Sequence, residues 1–269
     1  MKKLSPRTWA TFILVGLVGQ FAWTIENMYL NKFLYDTISQ DTTYIAAMVA
    51  ASAAVATLTT LLMGALSDRL GKRKLFITGG YILWGLATMA FGLIRPEGAA
   101  SGAALAAAST AALMVILLDC VMTFFGSTAN DAAFNAYVTD VTDVSNRGRV
   151  ESVLATLPLL SMLVIFGGFD FLAQQGRWMI FFAIFGGLVT LTGLASLFLV
   201  KDPPLERRKS NYLREVLHGF RPSVIKENGK LYLALAAFGV FSVAAQVFFP
   251  YLIIYMQEYL MLELSLIHI

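Results

Sequence analysis

Seven stretches of the chain are apolar over about 20 residues or more, and the charged residues gather in the segments between them. An α-helix rises about 1.5 Å per residue, so about 20 apolar residues cross the ~30 Å hydrocarbon core of a bilayer. The pattern therefore predicts seven transmembrane helices, called spans 1 to 7 below. Their predicted ranges are 9–34, 44–66, 75–95, 107–133, 150–172, 178–200 and 231–256.

These stretches leave little polar surface with which a soluble protein would face water. Helices on the surface of a soluble protein are amphipathic, and seven successive helices without a polar face exclude that class. Composition agrees, because 58% of the residues are hydrophobic and 14% are charged, whereas soluble domains contain about 25% charged residues. The sequence therefore predicts an all-α membrane protein.

The first stretch has an alternative interpretation as a secretory signal peptide, because Lys2, Lys3 and Arg7 precede it. A signal peptide has a shorter apolar core and a cleavage site made of small residues. This stretch is longer, contains Glu26 and has no clear site of that kind. We interpret it as a membrane span.

Basic residues are distributed unevenly between the two sides of the predicted spans. All of the 20 Lys and Arg residues except Lys32, Arg95 and Arg177 fall on the side of the amino terminus. Basic residues concentrate on the cytoplasmic side of membrane proteins. The distribution predicts a multi-pass protein of a cell membrane, either a bacterial inner membrane or a plasma membrane, with a cytoplasmic amino terminus.

The spans divide into a group of six and one more, separated by the charged segment 201–230. Pro203 and Pro204 end span 6, and the basic residues of the segment suit the anionic surface of a cytoplasmic leaflet. The arrangement predicts an amino-terminal six-helix bundle (1–200), a cytoplasmic basic linker (201–230) and the first helix of a truncated second bundle (231–263).

The last residues, 264–269, read LSLIHI. They match, in one reading frame, the translation of a transposase-end adapter used in preparing sequencing libraries. We interpret them as an adapter-derived tail and exclude them, with His268, from the fold. The alternative is a genuine short carboxyl terminus.

The turn between spans 2 and 3 carries the most specific motif, GALSDRLGKRK from Gly64 to Lys74. It resembles the G-x-L-[AS]-D-R-x-G-[RK]-[RK] signature of the major facilitator superfamily. The resemblance implies a secondary transporter with two six-helix halves, each made of two inverted three-helix repeats. It also implies that spans 1 and 4, which open successive repeats, line a central cavity.

Each residue type of this motif has a plausible task in gating. Gly64 lets span 2 approach a neighbour closely, and Gly71 permits a tight reversal into span 3. Asp68 is expected to accept hydrogen bonds from a helix amino terminus or from an Arg of the adjoining helix, as a latch that holds the cytoplasmic side shut. The predicted gating residues are Gly64, Asp68, Arg69, Gly71, Lys72 and Arg73. A basic turn that only anchors topology is the alternative for Lys72, Arg73 and Lys74.

Two carboxylates inside predicted spans stand out, Glu26 in span 1 and Asp119 in span 4. An ionised carboxylate at the centre of a span costs about 2.5 to 3.5 kcal/mol on insertion scales, so it requires a partner or a function. We predict that both residues carry the coupling proton or cation. The alternative is a protonated or hydrogen-bonded side chain that serves helix packing.

Polar residues accompany both carboxylates at helical spacing. Gln20, Trp23, Asn27 and Asn31 form one stripe of span 1 with Glu26 at its edge, and Asp119, Thr123, Gly126 and Asn130 share a face of span 4. Such stripes are expected to face a water-filled cavity. The predicted substrate-binding residues are Gln20, Trp23, Asn27 and Asn130. Interhelical hydrogen bonds remain the alternative for the amides, and packing remains the alternative for Trp23.

A narrower resemblance rests on short segments. Residues 19–23 (GQFAW) and 117–119 (LLD) resemble the corresponding helices of the glycoside and sucrose cation symporters, and 136–140 (AYVTD) with Arg147 and Arg149 is similar to their fourth-to-fifth connection. This resemblance assigns Asp140, Arg147 and Arg149 to the cytoplasmic turn after span 4. Span 2 lacks the paired aspartates of the sodium site in the melibiose branch, so proton coupling is the simpler expectation.

These observations lead to the hypothesis of a proton- or cation-coupled symporter of a sugar or glycoside that works by alternating access. A proton-coupled drug or metabolite antiporter is the alternative within the superfamily, and a membrane-embedded enzyme or a non-transporting assembly factor is the alternative from another class. The sequence shows no metal cluster, phosphate loop or nucleophile with its base, since Cys120 is the single cysteine and His218 lies in the linker. We therefore predict no enzymatic activity, no cofactor and no metal site.

The expected partners follow from the same hypothesis. They are a small-molecule substrate, a co-transported proton or cation and the lipid bilayer. We expect no nucleic acid partner, and we expect the chain to act as a monomer.

Overall fold

The computed structural model describes residues 4–94, 104–202 and 221–262, and within these ranges the chain is helical without any strand. Several features predicted above lie outside the described residues: Lys2, Lys3, Arg95, the linker segment 203–220 with His218, and the tail 264–269.

Seven helices of the described residues are long and apolar enough to cross a membrane. Spans 1 to 7 are Pro6–Ile38, Thr42–Leu70, Arg73–Leu93, Ala108–Val141, Arg147–Gly168, Trp178–Leu199 and Gly229–Tyr259. The prediction of an all-α multi-pass membrane protein is confirmed. We call the end of the bundle that holds Pro6 and Gly71 the near end, and the end that holds Ile38 and Gly176 the far end.

The predicted bounds are wrong at the far ends of spans 1 and 5 and at the near end of span 4, which continues past residue 133 to Val141. Span 1 continues to Ile38, and Lys32, which was counted with the basic residues of the side opposite the amino terminus, is a buried residue of this helix paired with Asp36 at 2.7 Å. Span 5 stops at Gly168, and a separate short helix, Asp170–Gln174, follows Phe169. The buried carboxylate of Asp170 accepts hydrogen bonds from Tyr29 (2.8 Å) and Gln174 (2.5 Å), which fixes this break.

Capping residues define several helix ends. The Ser5 side chain accepts from the backbone N–H of Thr8 at 3.1 Å and starts span 1. The exposed Asp41 caps span 2 by accepting from the N–H of Thr43 at 2.9 Å. Hydrogen bonding to the Thr43 side chain, and secondly to its backbone N–H, lowers the pKa of Asp41. Gly71 ends span 2 in the left-handed region (φ 62°), where its N–H donates to the carbonyl of Ser67 at 2.9 Å.

Spans 1, 4 and 7 differ from the other spans in containing π-helical segments. These are Ile25–Tyr29 and Leu34–Ile38 in span 1, Ser127–Phe134 in span 4 and Tyr255–Tyr259 in span 7. They are also the longest of the spans described, at 33, 34 and 31 residues. A π-helical turn is rare and occurs frequently at functional sites, so these three spans are the first place to search for one.

Spans 3 and 6 pack with their backbones in contact. A Cβ atom added to Gly186 would lie 2.6 Å from the carbonyl oxygen of Gly85 and 2.8 Å from the backbone nitrogen of Met89. Toward the near end, the hydroxyls of Thr78 and Ser196 share a hydrogen bond of 2.6 Å. Small residues are typical of such close contacts between membrane helices, where they permit extensive van der Waals packing.

Span 7 contacts the rest of the bundle over a small part of its length. It packs against the segments Ile25–Tyr29 and Leu30–Phe33 of span 1, and its buried residues in Gly229–Ile254 are Pro250, Ile253 and Ile254. The other described side chains of this helix are largely exposed. Span 7 therefore adds to the bundle mainly toward the far end.

Candidate functional site

Spans 1, 2, 4 and 7 surround a cavity of about 330 Å³. Residues of the π-helical segments Ile25–Tyr29 of span 1 and Ser127–Phe134 of span 4 line it. The lining residues are Trp23, Glu26, Asn27, Asn31, Met48, Val49, Ser52, Ala53, Ala56, Asp119, Thr123, Asp131 and Gln246. The volume lies at the lower end of the range of about 300–1,000 Å³ that is typical of small-molecule sites.

The two carboxylates singled out in the sequence, Glu26 and Asp119, meet at this cavity. Glu26 is 8% exposed, and its Oε1 accepts a hydrogen bond from the Thr123 hydroxyl at 2.8 Å. Asp119 is 1% exposed, and the Ser52 side chain of span 2 lies beside it. Spans 1, 2 and 4 therefore each contribute a polar group to one buried site.

A third carboxylate of the cavity, Asp131, was not identified from the sequence. It is close enough to Glu26 that the two charges repel each other, as do those of Asp119 and Glu26. A count of 3.6 residues per turn places Asn130, not Asp131, on the face of Asp119. The π-helical segment Ser127–Phe134 takes more residues per turn, so it delays the rotation and brings Asp131 onto that face. Asp131 lies inside the fourth apolar stretch, and a carboxylate at such a position is the sequence signal from which it could have been identified.

Two of the four predicted substrate-binding residues, Trp23 and Asn27, line the cavity. Asn130 is buried outside this lining, against Gly19, and its Nδ2 donates to the Tyr81 hydroxyl at 3.1 Å. For Asn130 the structure thus shows the interhelical hydrogen bond that the sequence left open.

Gln20, the remaining residue of the four, also lies outside the lining of the cavity. Its backbone carbonyl accepts from the Thr24 hydroxyl at 2.8 Å, one turn further along span 1.

The hydrogen-bonding groups on the cavity wall include several acceptors without a partner. Among the described residues, three buried acceptor atoms on its wall have no hydrogen-bond partner: Glu26 Oε2, Asn31 Oδ1 and Asp119 Oδ1. Two amide nitrogens beside them donate within span 1, Asn27 Nδ2 to the Trp23 carbonyl at 2.8 Å and Asn31 Nδ2 to the Asn27 carbonyl at 2.7 Å. The cavity therefore presents free acceptors to whatever enters it.

The predicted gating motif forms a cluster at the near end, centred on Arg73. The guanidinium of Arg73 pairs with Asp68 and with Asp140 (Nε to Oδ2, 2.8 Å), and it also donates to Ser67. Asp68 thus accepts from an Arg of the adjoining helix, one of the two partners expected for it, while Asp140 brings span 4 into the same cluster. The cluster connects spans 2, 3 and 4 at this end.

The other motif residues surround this cluster without entering it. Arg69 and Lys72 are exposed, and Gly71 makes the left-handed turn described above. The carbonyl of Gly64 accepts from the Ser67 hydroxyl at 3.4 Å.

The two arginines after span 4 make separate local contacts. Arg147 donates to the Thr139 carbonyl at 3.0 Å and to the Thr142 hydroxyl at 3.3 Å, which closes the turn between spans 4 and 5. Arg149 lies over the ring of Trp9 on span 1, with its guanidinium carbon 5.6 Å from the ring centroid. The predicted placement of these three residues in the turn is wrong, because Asp140 lies in the last turn of span 4 and Arg147 and Arg149 lie in the first turn of span 5. Of the three, Asp140 reaches Arg73.

Comparison with known proteins gives one match. A family model described as Major Facilitator Superfamily matches residues 11–267, which is most of the chain. A search of curated proteins and a search of solved structures each gave no match. The family match agrees with the motif between spans 2 and 3 and leaves the narrower glycoside and sucrose branch a prediction.

Proposed function

The chain belongs to the major facilitator superfamily and is a secondary transporter, and from this premise we propose that its cavity carries a small polar solute across the membrane by proton-coupled alternating access. Glu26 and Asp119 carry the coupling proton in this proposal. The observation that supports it is the pair of unpartnered carboxylate oxygens, Glu26 Oε2 and Asp119 Oδ1, on the cavity wall within the described residues.

Protonation of these carboxylates changes the energy of burying them. An ionised carboxylate within a span costs about 2.5 to 3.5 kcal/mol, and the protonated form avoids most of this cost. The proton therefore favours the state in which the carboxyl is sequestered, and its release favours the state in which water reaches it. The membrane potential adds about 2.3 kcal/mol per charge per 100 mV to the driving force.

The wall around the carboxylates suits a polar solute. Trp23 offers an aromatic surface, Asn27 and Asn31 offer amide groups, and span 7 contributes Gln246. A sugar or glycoside, the substrate suggested by the short matches in spans 1 and 4, has the hydroxyl groups to use such a wall. Symport of such a solute is the first form of the proposal.

Exchange of a solute for protons is the second form, and a specific observation favours it. Among the described residues that line the cavity, three are carboxylates and none is Lys or Arg. A positively charged solute would bind where the protons bind, and competition for one site couples solute entry to proton release.

The topology proposed from the basic residues gives the Arg73 cluster its role. With a cytoplasmic amino terminus, the near end faces the cytoplasm, and the ion pairs of Arg73 with Asp68 and Asp140 hold the ends of spans 2, 3 and 4 together there. Rearrangement at this end is then required whenever the cavity opens to the cytoplasm.

Solute-dependent proton movement tests the proposal. The protein is reconstituted in vesicles that contain a pH-sensitive dye, and sugars, glycosides and amines are added outside, with protein-free vesicles as the blank. Symport acidifies the lumen, whereas antiport makes it alkaline. Absence of protein-dependent proton movement with every solute would refute the proposal.

The matched variants are Asp119→Asn and Asp170→Asn. Asp119→Asn is expected to abolish uphill accumulation and to retain exchange of bound solute. Asp170 is also a buried carboxylate, but it lies outside the cavity lining and its oxygens are hydrogen-bonded. Accumulation that survives in Asp119→Asn would remove this residue from the coupling step.

A further inference from the structure

We propose that the solute bound in this cavity is a small organic cation whose charged group is an amine. The inference rests on the proposed transport function and names the substrate class of the same site. It follows from three properties of the cavity: its charge, its hydrogen-bonding capacity and its dimensions.

The first property is a group of three acidic side chains without a basic partner among the described lining residues. Glu26, Asp119 and Asp131 line the same cavity, where the charges of Asp119 and Asp131 each repel that of Glu26. No Lys, Arg or His occurs among the described residues that line the cavity. The nearest basic side chain along span 1, Lys32, is already paired with Asp36 at 2.7 Å. A positively charged ligand would supply the missing counter-charge in a site shielded from water.

The second property is the excess of acceptors described above. Glu26 Oε2, Asn31 Oδ1 and Asp119 Oδ1 lack partners within the part of the chain that the structure describes. Of these, Asn31 Oδ1 is independent of the carboxylates, and it is an amide oxygen on a residue only 1% exposed. An ammonium group brings three donors and no acceptor, which complements this wall. A neutral hydroxyl brings one donor, leaves the charge uncompensated and adds acceptors of its own.

The third property concerns size, and it separates an organic cation from a metal ion. The described residues contain no group of three His, Cys, Asp or Glu side chains placed to hold a metal ion. The three carboxylates are instead distributed around about 330 Å³ of space, which suits a molecule rather than a single ion. Trp23 adds an aromatic wall, backed by Trp84 at a ring-centroid distance of 5.0 Å, and such rings attract organic cations.

Matched pairs of ligands that differ in one amine test the inference. We would measure equilibrium binding to the protein in lipid nanodiscs by calorimetry. The pairs are D-glucosamine and D-glucose, tryptamine and tryptophol, and 1,4-diaminobutane and 1,4-butanediol. In at least one pair the affinity for the amine is expected to exceed that for its neutral partner by about tenfold or more. The inference is overturned if no amine binds, or if the neutral members bind as tightly as the amines.

Substitutions of the cavity carboxylates test whether the amine binds at these side chains. Glu26→Gln and Asp119→Asn are expected to weaken amine binding on the order of 100-fold, because each leaves the ligand charge without one of its partners. Asp170→Asn, the buried carboxylate outside the cavity lining, is expected to bind like the unchanged protein. Thermal unfolding of each variant confirms that it is folded, and if one of the two cavity variants is unfolded, the other and Asp131→Asn decide. Equal binding by folded cavity variants and by Asp170→Asn overturns the proposal.

Two further measurements distinguish a failure of this inference from a failure of the proposed transport function. If sodium ions bind and none of the tested amines does, the carboxylates bind a coupling ion and the inference is overturned. Proton movement driven only by neutral sugars would also overturn it, while the proposed transport function would stand. Absence of proton movement with every solute would refute the transport function itself.

Discussion

The contact between spans 3 and 6 and the cavity between spans 1, 2, 4 and 7 represent opposite ways of packing membrane helices. At the first, Gly85 and Gly186 bring two backbones together with no room for a side chain. At the second, Glu26, Asp119 and Asp131 keep the helices apart around an acidic space. Because lipid supplies no hydrophobic force between helices, close packing stabilises the first region. In the second region the helices leave a cavity lined by polar side chains instead of packing closely. Substitutions in the two regions are therefore expected to have different consequences.

The largest effect is expected from a side chain forced between spans 3 and 6. Gly186→Leu would place a Cβ 2.6 Å from the Gly85 carbonyl oxygen, and backbone atoms cannot yield as a flexible side chain would. We expect a loss of about 3 kcal/mol or more, and with it most of the folded protein. Thermal unfolding and gel filtration in detergent measure this loss. The neighbouring Gly187→Leu is the control, since a Cβ there meets no described atom within 4 Å. Equal stability of the two variants would mean that the contact is not tight.

The next effect concerns the ion pairs that join spans 2, 3 and 4 beyond the cavity. Arg73→Gln leaves Asp68 and Asp140 without their cation, and because Arg73 is buried the expected loss of stability is about 3 kcal/mol. Unfolding in denaturant measures it. Lys72→Gln, at an exposed position of the same turn, should change stability by less than about 0.5 kcal/mol. A similar loss in both variants would contradict a specific role for the Arg73 cluster.

A smaller effect, of opposite sign, is expected in the cavity. Asp119→Asn removes a buried charge whose Oδ1 has no described partner, so it should leave stability unchanged or raise it by up to about 2 kcal/mol. Transport should nevertheless lose its coupling. Thermal unfolding and proton flux on the same preparation separate the two properties. A loss of stability as large as that of Gly186→Leu would show that Asp119 serves packing.

The smallest effect distinguishes two asparagines that the sequence grouped together. Asn130→Ala removes the hydrogen bond to Tyr81 and should cost about 1 kcal/mol of stability without changing ligand affinity. Asn27→Ala alters the cavity wall and should change affinity instead. Unfolding and calorimetric titration of both variants test this contrast. A change of affinity in Asn130→Ala would restore its predicted role in substrate binding.

Most of the fold follows from the sequence because its determinants are local and repetitive. Apolar length alone places the seven spans, and the need for a left-handed residue places the reversal at Gly71. The break at Phe169 was missed because it depends on Asp170 meeting Tyr29, which lies 141 positions away in the chain. Contacts of this kind leave no periodic signal.

The candidate site was only partly predictable for a related reason. Carboxylates are conspicuous in an apolar stretch. Glu26 and Asp119 were therefore recognised from the free-energy cost of placing an ionised carboxylate in a membrane span. Which neighbours share their cavity depends on helix rotation, and the count of 3.6 residues per turn selected Asn130 in place of Asp131. Asp140 was assigned to a turn, and its pairing with Arg73 depends on how spans 3 and 4 meet at the near end.

The segment Ser127–Phe134 has a consequence for how this transporter can diversify. A π-helical turn holds one more residue than an α-helical turn, so a single-codon deletion there would restore the regular helix. If the deleted residue is one of 132–134, that event would rotate Asp131 out of the cavity and turn Asn130 toward it, exchanging an acid for an amide without any substitution. Ligand preference in this bundle is therefore open to insertions and deletions, a class of genetic change that is usually expected to destroy a membrane helix.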